Sequence, residues 1–525
     1  GVALFGLFIA LIIPNRLSWI TAGSFGFLPL ELIVICLLLL VRARAGFIVH
    51  ALLAVLLATG LVFKVADLVA YQVFSRPFNP VFDVYLLADG MRLLTGAIGR
   101  VGALLVALVL VVVFALSFLL AFVMLGRVRQ LLHVQARRSL QVCGALLGLW
   151  IVLKLAGFAR VNTYFKDEFV LHLQAIGTSL EDMRTFGKTI ADDSYATAKG
   201  EQLFDKLRGK DVYVIFVESY GRVVLDDAEF ADAVRPALEQ ASFQLKLNGI
   251  GVRSAFLQSP TIGGISWLAH GTALSGAWIN SQVRYDTLML SERPTLNRLF
   301  KRAGWRTLGV MPAISMAWPE GDYFGYDHVY DANNFGYEGL PFNWVTMPDQ
   351  YVFSALQARE RTPASRPPIM AEIALISSHA PWTPTPQLVH WDEVGNGEIF
   401  NEQTRAGPDV DAVWQDTAKI REQYRKSIEY VVNNLASYAI QYGDDNLVML
   451  ILGDHQPAPL VSADTDNAQV PVHIIARDPA VLDAIADWQW SEGLLPANDA
   501  PVWRMDALRN RFIEAFSSSK TADAN

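Results

Sequence analysis

The sequence is poor in cysteine, which limits how its polar part can be cross-linked or bind metal. Of 525 residues only Cys36 and Cys143 are cysteines, and both lie within apolar runs. The polar remainder of the chain therefore has no disulfide and no thiolate metal site. An oxidising location is compatible with this composition but is not required by it.

The chain also lacks an excess of positive charge. Its formal net charge is -8, and it has no run of lysine and arginine with interleaved aromatic residues. Such a run is the pattern that follows a nucleic-acid backbone. Nucleic acid is therefore not an expected partner.

Apolar residues are abundant and unevenly distributed. They make up 52% of the chain against 18% charged residues, and the apolar runs are crowded into its first third. Five runs are long enough to cross the hydrocarbon core of a bilayer, so we expect a transmembrane domain of five helices over residues 1–160. The runs are residues 1–14, 25–41, 46–72, 101–126 and 139–159. A cleaved signal peptide is the alternative interpretation of the first run.

The distribution of arginine predicts the orientation of this domain. Short loops rich in lysine and arginine stay cytoplasmic. The basic loops contain Arg42 and Arg44, and four arginines between residues 127 and 138. We therefore expect a multi-pass protein of the bacterial cytoplasmic (inner) membrane whose large domain is periplasmic or extracellular. Lys64 and Asp67 lie near a span end, where their polar groups are expected to reach interfacial water.

Beyond residue 160 the composition becomes that of a globular domain. We predict a helical linker at the membrane surface over residues 161–208, an external domain over 209–516 and a disordered tail over 517–525. Strand-length apolar runs alternate with helix-like stretches through the external domain. This alternation predicts an α/β fold with a mainly parallel central sheet.

Polar side chains stand where four of the segments in this domain end or turn. Glu218 follows VYVIFV, Ser266 lies in TIGGISWLAH, His379 ends LISSH, and Asp454 and His455 end LILGDH. Taken singly, Glu218 and His379 are more simply explained as capping or structural residues, whereas the Gly-Asp-His turn is a sharper signal of metal binding. In an open α/β sheet, however, the carboxyl ends of the strands form the ligand-binding edge. We therefore expect these side chains to meet.

A hydroxyl flanked by two carboxylates and an imidazole suits one divalent cation, such as Mn, Mg or Zn. The cation would hold the serine oxygen as an alkoxide nucleophile and offset the charge that develops during phosphoryl transfer. An imidazole outside the metal ligands can bind a phosphate oxygen or protonate the leaving alcohol. His379 fits that task. The residues thus predict a catalytic site for phosphoryl transfer.

The order of these motifs resembles the membrane sulfatase-like branch of the alkaline phosphatase superfamily. That branch includes lipoteichoic acid synthases, phosphoglycerol transferases and lipid A phosphoethanolamine transferases. The resemblance covers residues 211–477 and extends to the five preceding apolar runs. It implies an alkaline phosphatase-like fold, metal binding by Glu218, Asp454 and His455, phosphate binding by His379, and a covalent phosphoryl-headgroup intermediate on a hydroxyl that also binds the metal.

Two hydroxyls compete for the nucleophile, because Thr261 and Ser266 both lie in SPTIGGISWLAHGTALSG. Many transferases of this branch use threonine. Sulfatases place the nucleophile nine residues before a Thr-Gly or Ser-Gly pair, and Ser275 with Gly276 puts that position at Ser266. Ser266 is therefore favoured and Thr261 is the alternative. His270 occupies the place of a sulfatase arginine, and either a substrate-binding or a structural role is open for it.

Two departures from the branch bear on the substrate. Trp318 resembles the tryptophan that lines the headgroup pocket of lipoteichoic acid synthases, but Glu320 stands where a basic residue is expected. The external domain lacks cysteine, whereas phosphoethanolamine transferases usually have disulfides there. The resemblance thus favours phosphoglycerol over phosphoethanolamine without excluding either.

The expected function is transfer of a phosphoryl headgroup from phosphatidylglycerol or phosphatidylethanolamine to an external glycan or lipid acceptor. A phosphodiesterase or sulfatase-type hydrolase is the second hypothesis. A non-enzymatic relative that binds lipid or glycan is the third.

Overall fold

The computed structural model describes residues 1–74, 76–83, 86–158, 160–316, 318–463 and 465–518. The predicted disordered tail falls outside the described residues after Ser518. The chain divides into two compact units, of which the first comprises Gly1–Gln72 and Arg76–Arg184 and the second comprises Val73–Ser75 and Thr185–Asn525.

The first unit is helical, with one short strand pair. Its helices are α1 (Val2–Ile12), α2 (Leu30–Leu39), α3 (Ala43–Phe74), α4 (Leu86–Val134) and α5 (Ala136–Leu155), and it contains most of α6 (Tyr164–Ala191). Strand β1 (Leu28–Pro29) pairs in parallel with β2 (Val161–Asn162).

Within the described residues, three helices are long and apolar enough to cross a membrane: Arg44–Phe74, Gly99–Val134 and Ala136–Leu155. Helices α1 and α2 have only 11 and 10 residues. At about 1.5 Å per residue each spans about 15 Å, half of a hydrocarbon core. The predicted count of five spans is therefore not confirmed. Proline explains the shortening, because α1 ends just before Pro14 and Pro29 belongs to β1 rather than to a helix.

The polar residues near the end of α3 do not reach outward as predicted. Lys64 and Asp67 are 4% and 1% exposed. Lys64 Nζ forms an ion pair with Glu168 Oε2 of α6 at 2.5 Å. Asp67 Oδ2 lies 3.1 Å from His172 Nε2 of the same helix. Burial in complementary pairs is the alternative to snorkelling for charges in such a segment, and it holds α6 against α3.

The second unit contains a nine-stranded mixed sheet. Its strands are β3 (Asp211–Val217), β4 (Gly251–Gln258), β5 (Arg306–Met311), β6 (His328–Asp331), β7 (Ile369–Leu375), β8 (Leu447–Gly453), β9 (Gln469–Ala476), β10 (Ser491–Glu492) and β11 (Val502–Arg504). The order is β10-β4-β9-β8-β3-β7-β5-β6, and β11 also pairs with β4. Strands β8, β3, β7, β5 and β6 are mutually parallel, whereas β9 is antiparallel to β8 and β4. A mainly parallel sheet is thus not confirmed for the whole sheet.

Helices cover both faces of this sheet. They are α7 (Val223–Asp226), α8 (Ala228–Leu247), α9 (Ser266–Ser275), α10 (Gln282–Met289), α11 (Leu296–Arg302), α12 (Gly321–Phe324), α13 (Asp349–Leu356), α14 (Asn401–Ala406), α15 (Val410–Trp414), α16 (Thr417–Tyr442), α17 (Pro459–Ser462), α18 (Pro479–Asp483) and α19 (Ala507–Phe516). Because side chains alternate along a strand, Tyr213 and Ile215 of β3 pack with α8 and α16, and Val214 and Phe216 pack with α9, α11 and α19.

The register of the central strands fixes the position of the candidate site. Val217 of β3 lies beside Gly453 of β8 and beside Leu375 of β7. These three strands are parallel, so the residues that follow them emerge at one edge of the sheet. Glu218, Asp454 and His379 are brought to that edge.

Candidate active site

Two carboxylates and an imidazole converge after β3 and β8. Each of Glu218, Asp454 and His455 offers one ligand atom, and these atoms all lie within 4.8 Å of one another. His455 Nε2 is 3.3 Å from Glu218 Oε1 and 3.6 Å from Asp454 Oδ2. Asp454 and His455 are each 1% exposed. The cluster is a preformed, largely buried set of possible metal ligands.

Hydrogen bonds orient these ligands. His455 Nδ1 donates to the carbonyl of Gln456 at 2.7 Å, so Nε2 is the nitrogen that faces the carboxylates and is left for a metal ion. Asp454 Oδ1 accepts the backbone N–H groups of Ser219 and His455 at 2.8 and 2.7 Å, so Oδ2 remains for a ligand. Two carboxylates and one neutral imidazole form a donor set that Mn, Mg or Zn accepts. The residues present thus fit one divalent cation.

The charges of the cluster also favour a bound cation. Burial and the charge of Glu218 raise the pKa of Asp454 to about 7. Burial opposes ionisation of Glu218 too, but the charge and hydrogen bond of His455 hold the pKa of Glu218 well below its usual value. Burial lowers the pKa of His455, and the two carboxylates outweigh it and raise that pKa to about 9. A proton shared with His455 thus compensates the anions, and a bound cation can replace it.

The hydroxyl of Ser266 reaches this cluster. Its Oγ donates to Glu218 Oε2 at 3.0 Å and lies 3.2 Å from His455 Nε2. Ser266 is the first residue of α9, where the helix dipole favours negative charge. Gly263 and Gly264 precede it with φ values of 78° and 151°. Left-handed glycines make the tight turn that points the serine at the cluster.

One carbonyl links the serine turn to the histidine. The carbonyl of Gln456 accepts the backbone N–H of Gly263 at 2.8 Å as well as Nδ1 of His455. Ile262 forms a parallel bridge with Gln456 in the same place. The turn and the imidazole therefore share a fixed reference point, which sets the separation of Ser266 from His455.

Thr261, the alternative nucleophile, is used differently. Its Oγ1 donates to the carbonyl of Gly264 at 2.8 Å, and the residue is 9% exposed. The hydroxyl closes the turn before α9 instead of pointing at the carboxylates. The identity of the nucleophile stays a prediction, and this geometry favours Ser266.

His379 follows β7 and lies against an exposed tryptophan. Its Nδ1 donates to the carbonyl of Ala380 at 2.6 Å, so Nε2 is the nitrogen available to a ligand. Its ring stacks on Trp344 with centroids 4.4 Å apart, and Trp344 is 50% exposed. The charge of His379 contributes to the low pKa of Glu218, although burial and His455 have larger effects. His379 thus lies beside the cluster and outside the ligand set.

His270 lies one helical turn after Ser266 and bonds to a carboxylate that the sequence analysis did not single out. Its Nδ1 is 2.8 Å from Glu372 Oε1, and its ring stacks on Phe216 at 3.7 Å. Phe216 lies on β3, and Glu218 follows that strand two residues later. His270 thus contacts the strand that leads to the cluster.

Trp318 packs against aromatic residues of the second unit. It packs on Phe324 and Tyr326 with ring centroids 5.9 and 6.1 Å apart, and it lines a separate cavity of about 540 Å³ with Lys301 and Asp322. Substrate binding by Trp318 stays a prediction. The half-exposed tryptophan that contacts a predicted site residue is Trp344.

Asp349 holds the segment that leads to His379. Pro348, not Asp349, caps helix α13, and Asp349 Oδ1 accepts the backbone N–H groups of Ile376 and Ser377 at 3.0 and 3.1 Å. This role differs from the helix capping that such an aspartate suggests. Its signal in sequence is weak, since an aspartate before a helix is common.

Comparisons with known proteins follow this geometry. No protein-family model matches the sequence, and no curated protein matches it. Among solved structures, the chain is similar to the lipoteichoic acid synthase LtaP from Listeria monocytogenes, with 14% identity over 61% of this chain and 75% of that one and a TM-score of 0.37.

Two further structures are similar at the same level. The Streptococcus pyogenes phosphoglycerol transferase GacH matches with 12% identity over 65% of this chain and 83% of that one, at a TM-score of 0.39. The soluble domain of lipooligosaccharide phosphoethanolamine transferase A from Neisseria meningitidis matches with 11% identity over 60% and 90%, at 0.40.

Proposed function

We propose that the chain is a metal-dependent transferase that moves a phosphoryl headgroup from a membrane phospholipid to an external glycan or lipid acceptor, through a covalent intermediate on Ser266. Phosphoglycerol from phosphatidylglycerol is the favoured headgroup. The observation that carries the proposal is the position of Ser266 Oγ, 3.0 Å from Glu218 and 3.2 Å from His455.

In this proposal Glu218, Asp454 and His455 hold one divalent cation together with the oxygen of Ser266. When bound, the cation would lower the pKa of the serine hydroxyl and offset negative charge on the phosphoryl group. The N-terminus of α9 favours the same anionic species at Ser266. His270 and Trp318 are proposed substrate-binding residues.

The reaction has two steps, formation and breakdown of the covalent intermediate. The Ser266 alkoxide attacks phosphorus, a Ser266 O–P bond forms, and the P–O bond to the lipid alcohol breaks as His379 Nε2 gives that alcohol a proton. An acceptor hydroxyl then attacks phosphorus, its proton passes to His379, and the serine O–P bond breaks. The alkoxide and the proton on His379 are both restored. Water in place of the acceptor would make the same site a phosphodiesterase.

The apolar helices and the arginine-rich loops support a reaction at the membrane. The apolar helices keep the protein in the bilayer that contains the donor, and the arginine-rich loops favour an external position for residues 209–516. The donor and the site would then share one side of the cytoplasmic membrane.

Intact mass spectrometry of the full chain in detergent tests the proposal. The protein is incubated with phosphatidylglycerol or phosphatidylethanolamine in the presence of Mn, Mg or Zn. We expect an added mass of glycerol phosphate with the first lipid, lost in Ser266→Ala and kept in Thr261→Ala. Loss only in Thr261→Ala would reassign the nucleophile. Released headgroup without an acceptor would favour the hydrolase, and absence of both adduct and diglyceride with either lipid would contradict the proposal.

A further inference from the structure

A buried glutamate lies in the middle of the central sheet. Glu372 is on β7 between Val214 of β3 and Gly309 of β5, and it is 1% exposed. An ionised carboxylate at such a position is costly unless it is paired and hydrogen-bonded. An apolar residue would satisfy packing alone, so the carboxylate needs a further reason.

Three donors converge on this carboxylate. His270 Nδ1 lies 2.8 Å from Oε1, while Asn297 Nδ2 and the hydroxyl of Tyr326 donate to Oε2 at 2.8 and 2.5 Å. Gly309 makes room for this arrangement, because a Cβ there would lie 3.0 Å from the ring of Tyr326. The absence of a side chain at this position of β5 therefore leaves space for the ring of Tyr326.

His270 is the ionisable partner in this network. Asn297 and Tyr326 are neutral donors, so compensation of the Glu372 charge falls to the imidazole. Among the described residues, Nε2 of His270 forms no hydrogen bond.

The position of His270 brings its ring close to the elements that lead to the candidate site. It is four residues after Ser266 on α9, and residues at this spacing lie on one face of a helix. Its ring rests on Phe216 of β3, and Glu218 follows that strand. His270 is thereby bounded by the helix that begins with the proposed nucleophile and by the strand that leads to Glu218.

We propose that Glu372 is a positioning residue that holds His270 as an imidazolium, with Nδ1–H on the carboxylate and Nε2–H donated to a non-bridging oxygen of the phosphoryl group. This rests on the proposed function, since it assumes a tetrahedral phosphoryl group at Ser266. A charged donor to a phosphate oxygen forms one of the stronger hydrogen bonds available. Glu372 acts only through His270 and does not touch substrate.

The test compares Glu372→Gln and His270→Gln with a matched control, in the full chain loaded with Mn. Glu360→Gln is the control, because Glu360 is also a buried carboxylate. It pairs with Arg306, the first residue of β5, whereas the candidate site lies beyond the last residues of the parallel strands. The first measurement is binding of inorganic phosphate by calorimetry. We expect the Kd of Glu372→Gln and His270→Gln for phosphate to rise about tenfold and kcat/KM to fall by about 10–100-fold, as for other orienting partners. Glu360→Gln should bind phosphate like the wild type.

A double-mutant cycle separates positioning from a structural role. If Glu372 acts through His270, the double variant should bind phosphate no more weakly than His270→Gln alone. Multiplied losses, or unchanged phosphate binding in either single variant, would overturn the proposal. If Glu372→Gln does not fold, Glu372→Asp keeps the charge and withdraws it from His270, and wild-type phosphate binding there would likewise overturn it. Phosphate binding needs no lipid, so a missing covalent adduct contradicts the proposed function without deciding this inference.

Discussion

Removing the Asp349 side chain should loosen the segment that carries His379. Asp349 is 0% exposed, and one of its oxygens accepts two backbone N–H groups, those of Ile376 and Ser377. Asp349→Ala would leave both donors buried without a partner. Each unsatisfied group costs about 1–3 kcal/mol, so we expect the free energy of unfolding to fall by about 2–5 kcal/mol.

The pH dependence of this effect has a defined sign. Burial raises the pKa of Asp349 to about 6, although the hydrogen bonds from Ile376 and Ser377 lower it. The folded-state pKa is therefore above the unfolded value of about 4. The folded state binds the extra proton, so this group's contribution to stability is greatest below about pH 4 and is lost as pH rises toward 6.

Urea unfolding followed by tryptophan fluorescence measures both effects. Asp349→Asn is the control, because its amide oxygen can still accept the two N–H groups while the ionisable group is removed. We expect Asp349→Asn to lose less stability than Asp349→Ala and to lack the wild-type decline between about pH 4 and 6. Equal stability of Asp349→Ala and wild type, or an unchanged pH dependence in Asp349→Asn, would refute the reasoning.

Two further substitutions test the ligand cluster and the tryptophan that stacks on His379. Glu218→Gln removes one of two carboxylates, so calorimetry should show affinity for Mn or Zn at least about 10–100-fold weaker, the loss seen for partners that merely orient ligands. Trp344→Ala removes the ring stacked on His379. A stacked pair is worth about 0.5–1.5 kcal/mol, so headgroup turnover should fall about two- to tenfold, with metal affinity unchanged.

Each of these has an outcome that contradicts it. Unaltered metal affinity in Glu218→Gln would remove Glu218 from the ligand set, and Glu360→Gln controls for loss of a carboxylate elsewhere. Trp344→Phe keeps an aromatic ring against His379 and should retain most of the turnover. Equal losses in Trp344→Phe and Trp344→Ala would mean that the stacking is not what matters.

The ligand cluster was predictable because the signal lies at the ends of apolar runs. Glu218 and Asp454 each follow a strand-length apolar segment, and parallel neighbours bring such ends together. The contact of Ser266 with Glu218 also agrees with the favoured hydroxyl. The residues that support the site were harder to find, because Glu372 lies inside the run PIMAEIALISSH. A lone glutamate within a buried strand was the available signal.

Strand direction and helix length were less accessible from sequence. The run that forms β9 looks like its neighbours in composition, yet it is antiparallel to β8, because direction depends on the connections and not on apolarity. Strand β4 reads GVRSAFLQ, with Arg253 and Ser254 inside it, and so lacks a continuous apolar run. The first two apolar runs contain prolines, and a hydropathy average does not register the helix ends that proline imposes.

The register of β3 and β8 has a consequence for how the proposed metal ion would reach its site. Glu218 and Asp454 directly follow paired residues of adjacent strands, so their spacing comes from the distance between strands, about 4.8 Å. The sheet's backbone sets this geometry, so the polypeptide can complete its fold before any ion arrives. The ion would then be taken up after export, from whatever divalent cations surround the finished domain. Under the proposed function, the metal in the site would reflect the supply outside the cytoplasm as much as the preference of its ligands.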